Sequence, residues 1–338
     1  MVLDGSTDER IQFIAVVPLE IGAVVAVTQG QQKVMYQIRW AEIERSVVAG
    51  GAQDIVRAHA SQLGTIDAAT GRIVRFRWVP TPGSIVEQPL EYGEGMPNGQ
   101  AFLLGSLVGT NVPIYLDIAT ACEGHLAILG MTRMGKTTFA SRLARELAKT
   151  HRVTVIDITG EWVSKRAFAA YSGPADDDSI GVSVLEPKAG SNPADAAQIY
   201  FSEVANKAFA EYKAGKVIPR VLLFDEAHQF VPEPALLGFN TPGRESTQKF
   251  GQLMMQVRKY GISVVLVSQR TAVVAKTALS QCETLVAFKS VDQTGLEFLD
   301  AVLGSESKRA LPALKHAEAL VFGPAVSSEA TVAVAMLA

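Results

Sequence analysis

Two rhythms of apolar and polar positions divide the chain. Over the first hundred residues, short β-branched runs predict strands at 10–17, 23–29, 33–40 and 72–79, with Gly22, Gly30, Gly71 and Gly83 punctuating them. The stretch 53–61 reads as one short helix between strands. Short strands with glycine turns predict a small barrel or sandwich. Residues 80–100 carry four prolines and four glycines, as a linker or long connection does. From residue 101 the rhythm changes. Apolar runs at 126–129, 153–158, 182–185, 221–224, 264–267, 285–288, 320–322 and 331–336 now alternate with helical stretches at 136–149, 193–214, 246–259 and 294–303. Such alternation predicts an α/β fold with a mainly parallel sheet. Two domains follow: a β-rich barrel with its linker over 1–100, and an α/β domain over 101–338.

Composition changes this picture little. Hydrophobic residues make up 48% and charged residues 19%, the balance of a globular protein. A net charge of -3 provides no global basic field, so any phosphate-contacting surface has to be local. Cys122 and Cys282 match no zinc spacing and read as reduced core residues. No apolar run approaches the roughly 18 residues a membrane helix needs. The N-terminus lacks the basic-then-apolar order of a signal peptide. A cytoplasmic protein without membrane association is the expectation.

The chemistry concentrates in the second domain. Gly130, Met131, Thr132, Arg133, Met134, Gly135, Lys136 and Thr137 match G-x-x-x-x-G-K-[ST] between an apolar strand and an amphipathic helix. Glycines let such a loop curl so that backbone N–H groups face phosphates, with Lys136 on the β- and γ-phosphates and Thr137 on Mg²⁺. The segment Val221–Glu226 is an apolar strand ending in two carboxylates. Asp225 suits a Mg²⁺ ligand acting through water, and Glu226 a general base for an attacking water. The cofactors expected are ATP and Mg²⁺. A strand at 153–158 stands between these elements, and a further one ends in Ser268-Gln269-Arg270. Gln269 is the candidate γ-phosphate sensor. With one P-loop in the chain, a completing arginine has to come from another subunit, which points to a closed head-to-tail ring. Arg258 and Arg270 are both candidates for that finger.

Taken together, the P-loop with Thr138, Asp157-x-x-Gly-Glu161-Trp162, Asp225-Glu-Ala-His228, Arg258-Lys-Tyr-Gly261 and Ser268-Gln-Arg270 resemble the HerA branch of the HerA/FtsK superfamily of RecA-like P-loop ATPases. The resemblance implies a hexameric ring that translocates double-stranded DNA, with Asp157, Glu161 and Arg258 among its functional positions. It also implies a separate effector, a nuclease or, in antiphage systems, a sirtuin-like protein. Where the family usually has Gly-Ser ahead of its Gly-Lys pair, this chain has Arg133-Met134. Lys165 with Arg166, or Arg244 with Lys249, could line a DNA pore. A second reading is a scaffold that assembles and gates its partner by nucleotide state, without processive movement.

Overall fold

The computed structural model describes residues 1–48, 51–88, 101–173, 179–238, 241–304 and 307–337. Part of the stretch read as a linker, residues 89–100, lies outside the described residues. The chain packs as two compact units, one holding residues 1–117 and 289–337, the other residues 118–288.

The first unit opens with strands β1 (Arg10–Ala15), β2 (Val24–Gln29), β3 (Gln32–Val48), β4 (Gly51–Ile66), β5 (Ile73–Val74) and β6 (Val86–Glu87). They pair antiparallel in the order β1-β4-β3-β2-β6, with β5 on β4. Alternate residues bury one face, among them Ile11, Phe13, Val25, Val34, Tyr36 and Ile38. The expected barrel is here an antiparallel sheet whose pairing path does not close on itself among the described residues.

The helix expected at 53–61 is corrected: those residues belong to β4. Ala58 and Ala60 are buried while Arg57, His59 and Ser61 are not, a period of two. Ladders to β1 on one edge and β3 on the other outweigh the helix propensity of the alanines. The strand expected at 72–79 is reduced to Ile73–Val74. Gly64 sits at φ +116°, where an added Cβ would lie 1.9 Å from the Val74 carbonyl oxygen. Gly64→Ala therefore has to part β4 from β5, and should cost about 2–3 kcal/mol in chemical denaturation of the full chain.

A hairpin of β7 (Ala101–Leu107) and β8 (Pro113–Asp117) completes the N-terminal part of this unit. The second unit then runs through α1 (Ile118–Glu123), β9 (His125–Leu129), α2 (Lys136–Leu147), β10 (Arg152–Ile156), α3 (Glu161–Ser164), β11 (Ala169–Ala170) and β12 (Gly181–Leu185). It continues with α4 (Pro193–Lys213), β13 (Arg220–Asp225), α5 (Ala227–Phe230), α6 (Arg244–Val257), β14 (Ile262–Ser268), α7 (Lys276–Leu279) and β15 (Cys282–Phe288). Its strands are all parallel, in the order β11-β12-β10-β13-β14-β9-β15. Every residue of β9, β13 and β14 is buried, which is why these strands read as continuous apolar runs rather than alternations. Cys282 is buried, whereas Cys122 is only half-buried and so is not the core residue expected.

The chain then re-enters the first unit with α8 (Gln293–Leu303), α9 (Ser307–Ala313), β16 (Glu318–Phe322) and β17 (Val332–Met336). There β16-β17-β7-β8 form an antiparallel succession. Among the described residues no helix is long and apolar enough to cross a membrane.

Candidate nucleotide site

In an open parallel sheet, ligands gather at the carboxyl ends of the strands. Here β10, β13, β14 and β9 are neighbours, so Asp157, Asp225, Gln269 and Gly130 follow one another along a single edge. Gly130 has φ +137°, and a Cβ there would fall 2.7 Å from Phe288 Cβ and 2.9 Å from its carbonyl oxygen. Only glycine leaves the loop in this place. Gly130 N–H donates to the Ser268 carbonyl at 3.2 Å, tying the loop to the end of β14. Gly135, left-handed at φ 104°, starts α2. Arg133 is also left-handed, at φ 60°, where the family pattern has glycine. Thr132, Arg133 and Thr138 are exposed, while Met131, Met134 and Thr137 are half-buried.

Lys136 is 8% exposed, and its Nζ donates to the Met131 carbonyl at 2.5 Å. Burial pulls its pKa below the ordinary lysine value, with the charges of Glu226 and Asp225 pulling the other way. Asp225, 6% exposed, accepts from Trp162 Nε1 at 2.6 Å and from the Glu226 backbone N–H at 3.1 Å. Its carboxyl is nevertheless pushed up to about 6, first by burial and then by Glu226 and Asp157, against the lowering effect of Trp162. The charges of Glu226 and Asp157, which raise the Asp225 pKa, favour a cation beside Asp225.

Glu226 is held at φ 59°, ψ 47°, a left-handed conformation for a residue with a side chain. Strain of this kind, about 1–3 kcal/mol, recurs where a side chain has to be aimed. Its Oε2 is buried with no hydrogen-bond partner in the described chain. His228 Nδ1 stands 3.2 Å away without hydrogen-bonding geometry, so this contact is one of charge alone and requires a protonated ring. An orphaned carboxylate oxygen whose charge is felt at Lys136 is what a water-directing base requires. Among the described residues no three His, Cys, Asp or Glu side chains converge to hold an ion by themselves. That donor set fits Mg²⁺, which typically takes one or two carboxylates together with phosphate oxygens and water.

Asp157 is fully buried, and its oxygens accept from Thr159 N (2.7 Å), Thr159 Oγ1 (2.6 Å) and Trp162 N (3.0 Å). Glu161 is half-buried and bonds Lys165 at 2.5 Å. Gln269 is half-buried just past β14, and Arg270 is exposed. Arg258 lies elsewhere. It precedes β14 by four residues, roughly 20 Å along the strand from the loop, and is paired with Glu283. The four cations suggested for a pore all have partners within the chain. Lys165 bonds Glu161, Arg166 bonds Ser141 Oγ, Arg244 bonds the Pro234 and Leu237 carbonyls, and Lys249 bonds Glu245.

Trp162 was visible in sequence only as part of a motif. Its fully buried indole joins the Asp157 turn to Asp225, and no spacing rule carries that long-range bond. His228 and Ser268, 3.5 Å apart beside Glu226, were likewise not singled out as site residues.

A P-loop between a buried strand and a helix, with the acidic strand two places away across β14, defines a RecA-like P-loop domain. Residues 102–214 match the family model described as the central domain of helicase HerA. A probable helicase of Methanocaldococcus jannaschii is 28% identical over 121 residues, covering 34% of this chain and 22% of that protein. The chain thus matches about a fifth of that relative's length. Among solved structures, the pCW3 conjugation coupling protein TcpA with ATPγS covers 99% of this chain and 86% of its own, at 13% identity and a TM-score of 0.52. The genome packaging NTPase of Sulfolobus turreted icosahedral virus 2 covers 64% of this chain and all of its own, at 15% identity and a TM-score of 0.48. The P-loop segment is thus similar to the central domain of HerA helicases.

Proposed function

We propose that this protein is an ATP-hydrolysing motor that moves double-stranded DNA as a homo-oligomeric, hexameric ring and serves a nuclease-type or sirtuin-like effector. One observation carries the ATPase reading: the P-loop, Asp225, Glu226 and Gln269 line one edge of a parallel sheet, with Glu226 Oε2 buried and free to accept. The HerA match of residues 102–214 supports DNA as the substrate moved.

On this reading the backbone N–H groups of residues 130–137, the Lys136 ammonium and the N-terminus of α2 hold the triphosphate. Thr137 and Asp225 would hold Mg²⁺, which neutralises charge on the phosphate oxygens. Trp162 keeps the Asp225 carboxylate turned towards the loop. Glu226 accepts a proton from the attacking water, and Gln269 reports the γ-phosphate. Asp157 and Glu161 frame the turn beside it. Arg258 would serve a neighbour's site rather than its own, with Arg270, at the strand end, as the alternative finger.

Steady-state ATP hydrolysis by the purified chain, with and without linear duplex DNA, tests this reading, with Lys136→Ala as the blank. Hydrolysis should rise several-fold on duplex addition, and the rise should shrink with salt as counterion release dictates. Lys136-dependent hydrolysis indifferent to duplex of any length would overturn the motor and leave a nucleotide-gated scaffold.

A further inference from the structure

The two ends of α4 carry features that suit each other but cannot meet within one chain. The helix is 21 residues long, about 30 Å. Beside its C-terminal end stands an uncovered aromatic cluster. The rings of Phe209 and Tyr212 lie 5.2 and 5.3 Å from that of Tyr260, centroid to centroid. Phe209 is 38% and Tyr212 45% exposed. Lys213 sits over the Phe209 ring at 4.3 Å and Lys259 over Tyr260 at 5.1 Å. Exposed aromatics ringed by cations are the composition of an interface rather than of a solvated face.

At the N-terminal end of the same helix lies a cavity of about 550 Å³. Ile156, Leu185, Pro187, Ile199 and Tyr200 make it largely apolar. Its charged lining is acidic, with Glu186, Asp195 and Glu203 against the single cation Lys188. Ile199 is 55% exposed, so the apolar wall continues onto the surface.

We propose that the aromatic, lysine-flanked end of α4 in one copy of this chain seats in the acid-rimmed cavity at the other end of α4 in the next copy. Charge complementarity identifies the occupant: lysines 213 and 259 meet Glu186, Asp195 and Glu203 around an apolar centre. Patches at opposite ends of one helix make a head-to-tail contact, which repeats from copy to copy and closes if the rotation allows. The contact also serves the chemistry. Arg258 directly precedes Lys259 and Tyr260, and Ile156 directly precedes Asp157. Docking therefore brings the Arg258 edge of one copy towards the nucleotide edge of its neighbour. This inference rests on the ring reading and names the surfaces that build it.

The test is sedimentation velocity of the full chain with Mg²⁺ and a non-hydrolysable ATP analogue. The parent should assemble. Phe209→Asp with Tyr212→Asp removes the knob, and Ile199→Asp with Glu203→Lys removes the hole. Each double variant alone should remain monomeric, with an unchanged melting temperature. An equimolar mixture should form a dimer and stop there, because it retains one intact junction. Should either double variant melt lower, Lys213→Glu with Lys259→Glu and Glu186→Lys with Glu203→Lys alter only exposed charges and should give the same pattern. Both classes of variant assembling like the parent would overturn this contact while leaving the ring intact. A parent that stays monomeric would overturn the contact and the ring together.

Discussion

Glu226→Gln should lower steady-state ATP hydrolysis by roughly 10²–10⁴-fold while leaving nucleotide bound, whereas Lys136→Ala should abolish both. The two substitutions act at different points of the same site. Glutamine is nearly isosteric with glutamate, and it keeps the left-handed residue at the head of α5 but cannot take a proton from water. Lys136 holds its ammonium at a buried position, within the fields of Glu226 and Asp225, and on the proposed reading would supply the cation that phosphate requires. Equilibrium titration with a fluorescent ATP analogue, set beside the turnover rate, separates the outcomes. If Glu226→Gln hydrolyses at the parental rate, the proton acceptor lies elsewhere and the orphaned Oε2 has another use. If Lys136→Ala binds nucleotide as the parent does, the loop is not the phosphate cradle.

The sequence revealed most where structure is local. The P-loop, the acidic end of β13 and the buried strands of the second unit all follow from short runs whose meaning does not depend on a distant partner. The four long helices expected are all present, with ends displaced by at most two residues, as fraying at caps allows. What failed was set by long-range pairing. Residues 53–61 carry helix-compatible alanines, and only the ladders of β1 and β3 make them a strand. Trp162 reaches Asp225 across 63 positions of sequence, so its hold on that carboxylate could not be read from spacing. The pairing of Arg258 with Glu283 belongs to the same class. Tertiary geometry also gives meaning to Arg133 and Glu226. The sequence marks neither as left-handed, yet both bend at the edge where the nucleotide is proposed to bind.

Asp225 ties function to stability with a definite sign. Its folded-state pKa of about 6 stands above the ordinary aspartate value of 3.8, so folding without nucleotide favours the protonated acid. The stabilisation from this group is therefore complete below about pH 3.8 and lost as pH rises through about 6. Between pH 7 and pH 5 it should add on the order of 1 kcal/mol to the unfolding free energy of the nucleotide-free protein. Catalysis needs the opposite state. On the proposed reading only the carboxylate would hold Mg²⁺ against the triphosphate, so hydrolysis should fall over the same interval in which stability rises. Asp225→Asn should remove this component of the pH slope and lower Mg²⁺-supported hydrolysis by roughly 10²-fold or more, since metal stabilisation of phosphoryl transfer is worth several kcal/mol. Other groups titrate in this range as well, so the quantity to compare is the difference between parent and variant in denaturant melts at pH 5 and pH 7. Equal slopes in the two proteins would mean that Asp225 is already charged at pH 5. Its hydrogen bonds from Trp162 and the Glu226 backbone would then suffice to hold the charge inside the chain, without the metal and phosphates this site is proposed to bind.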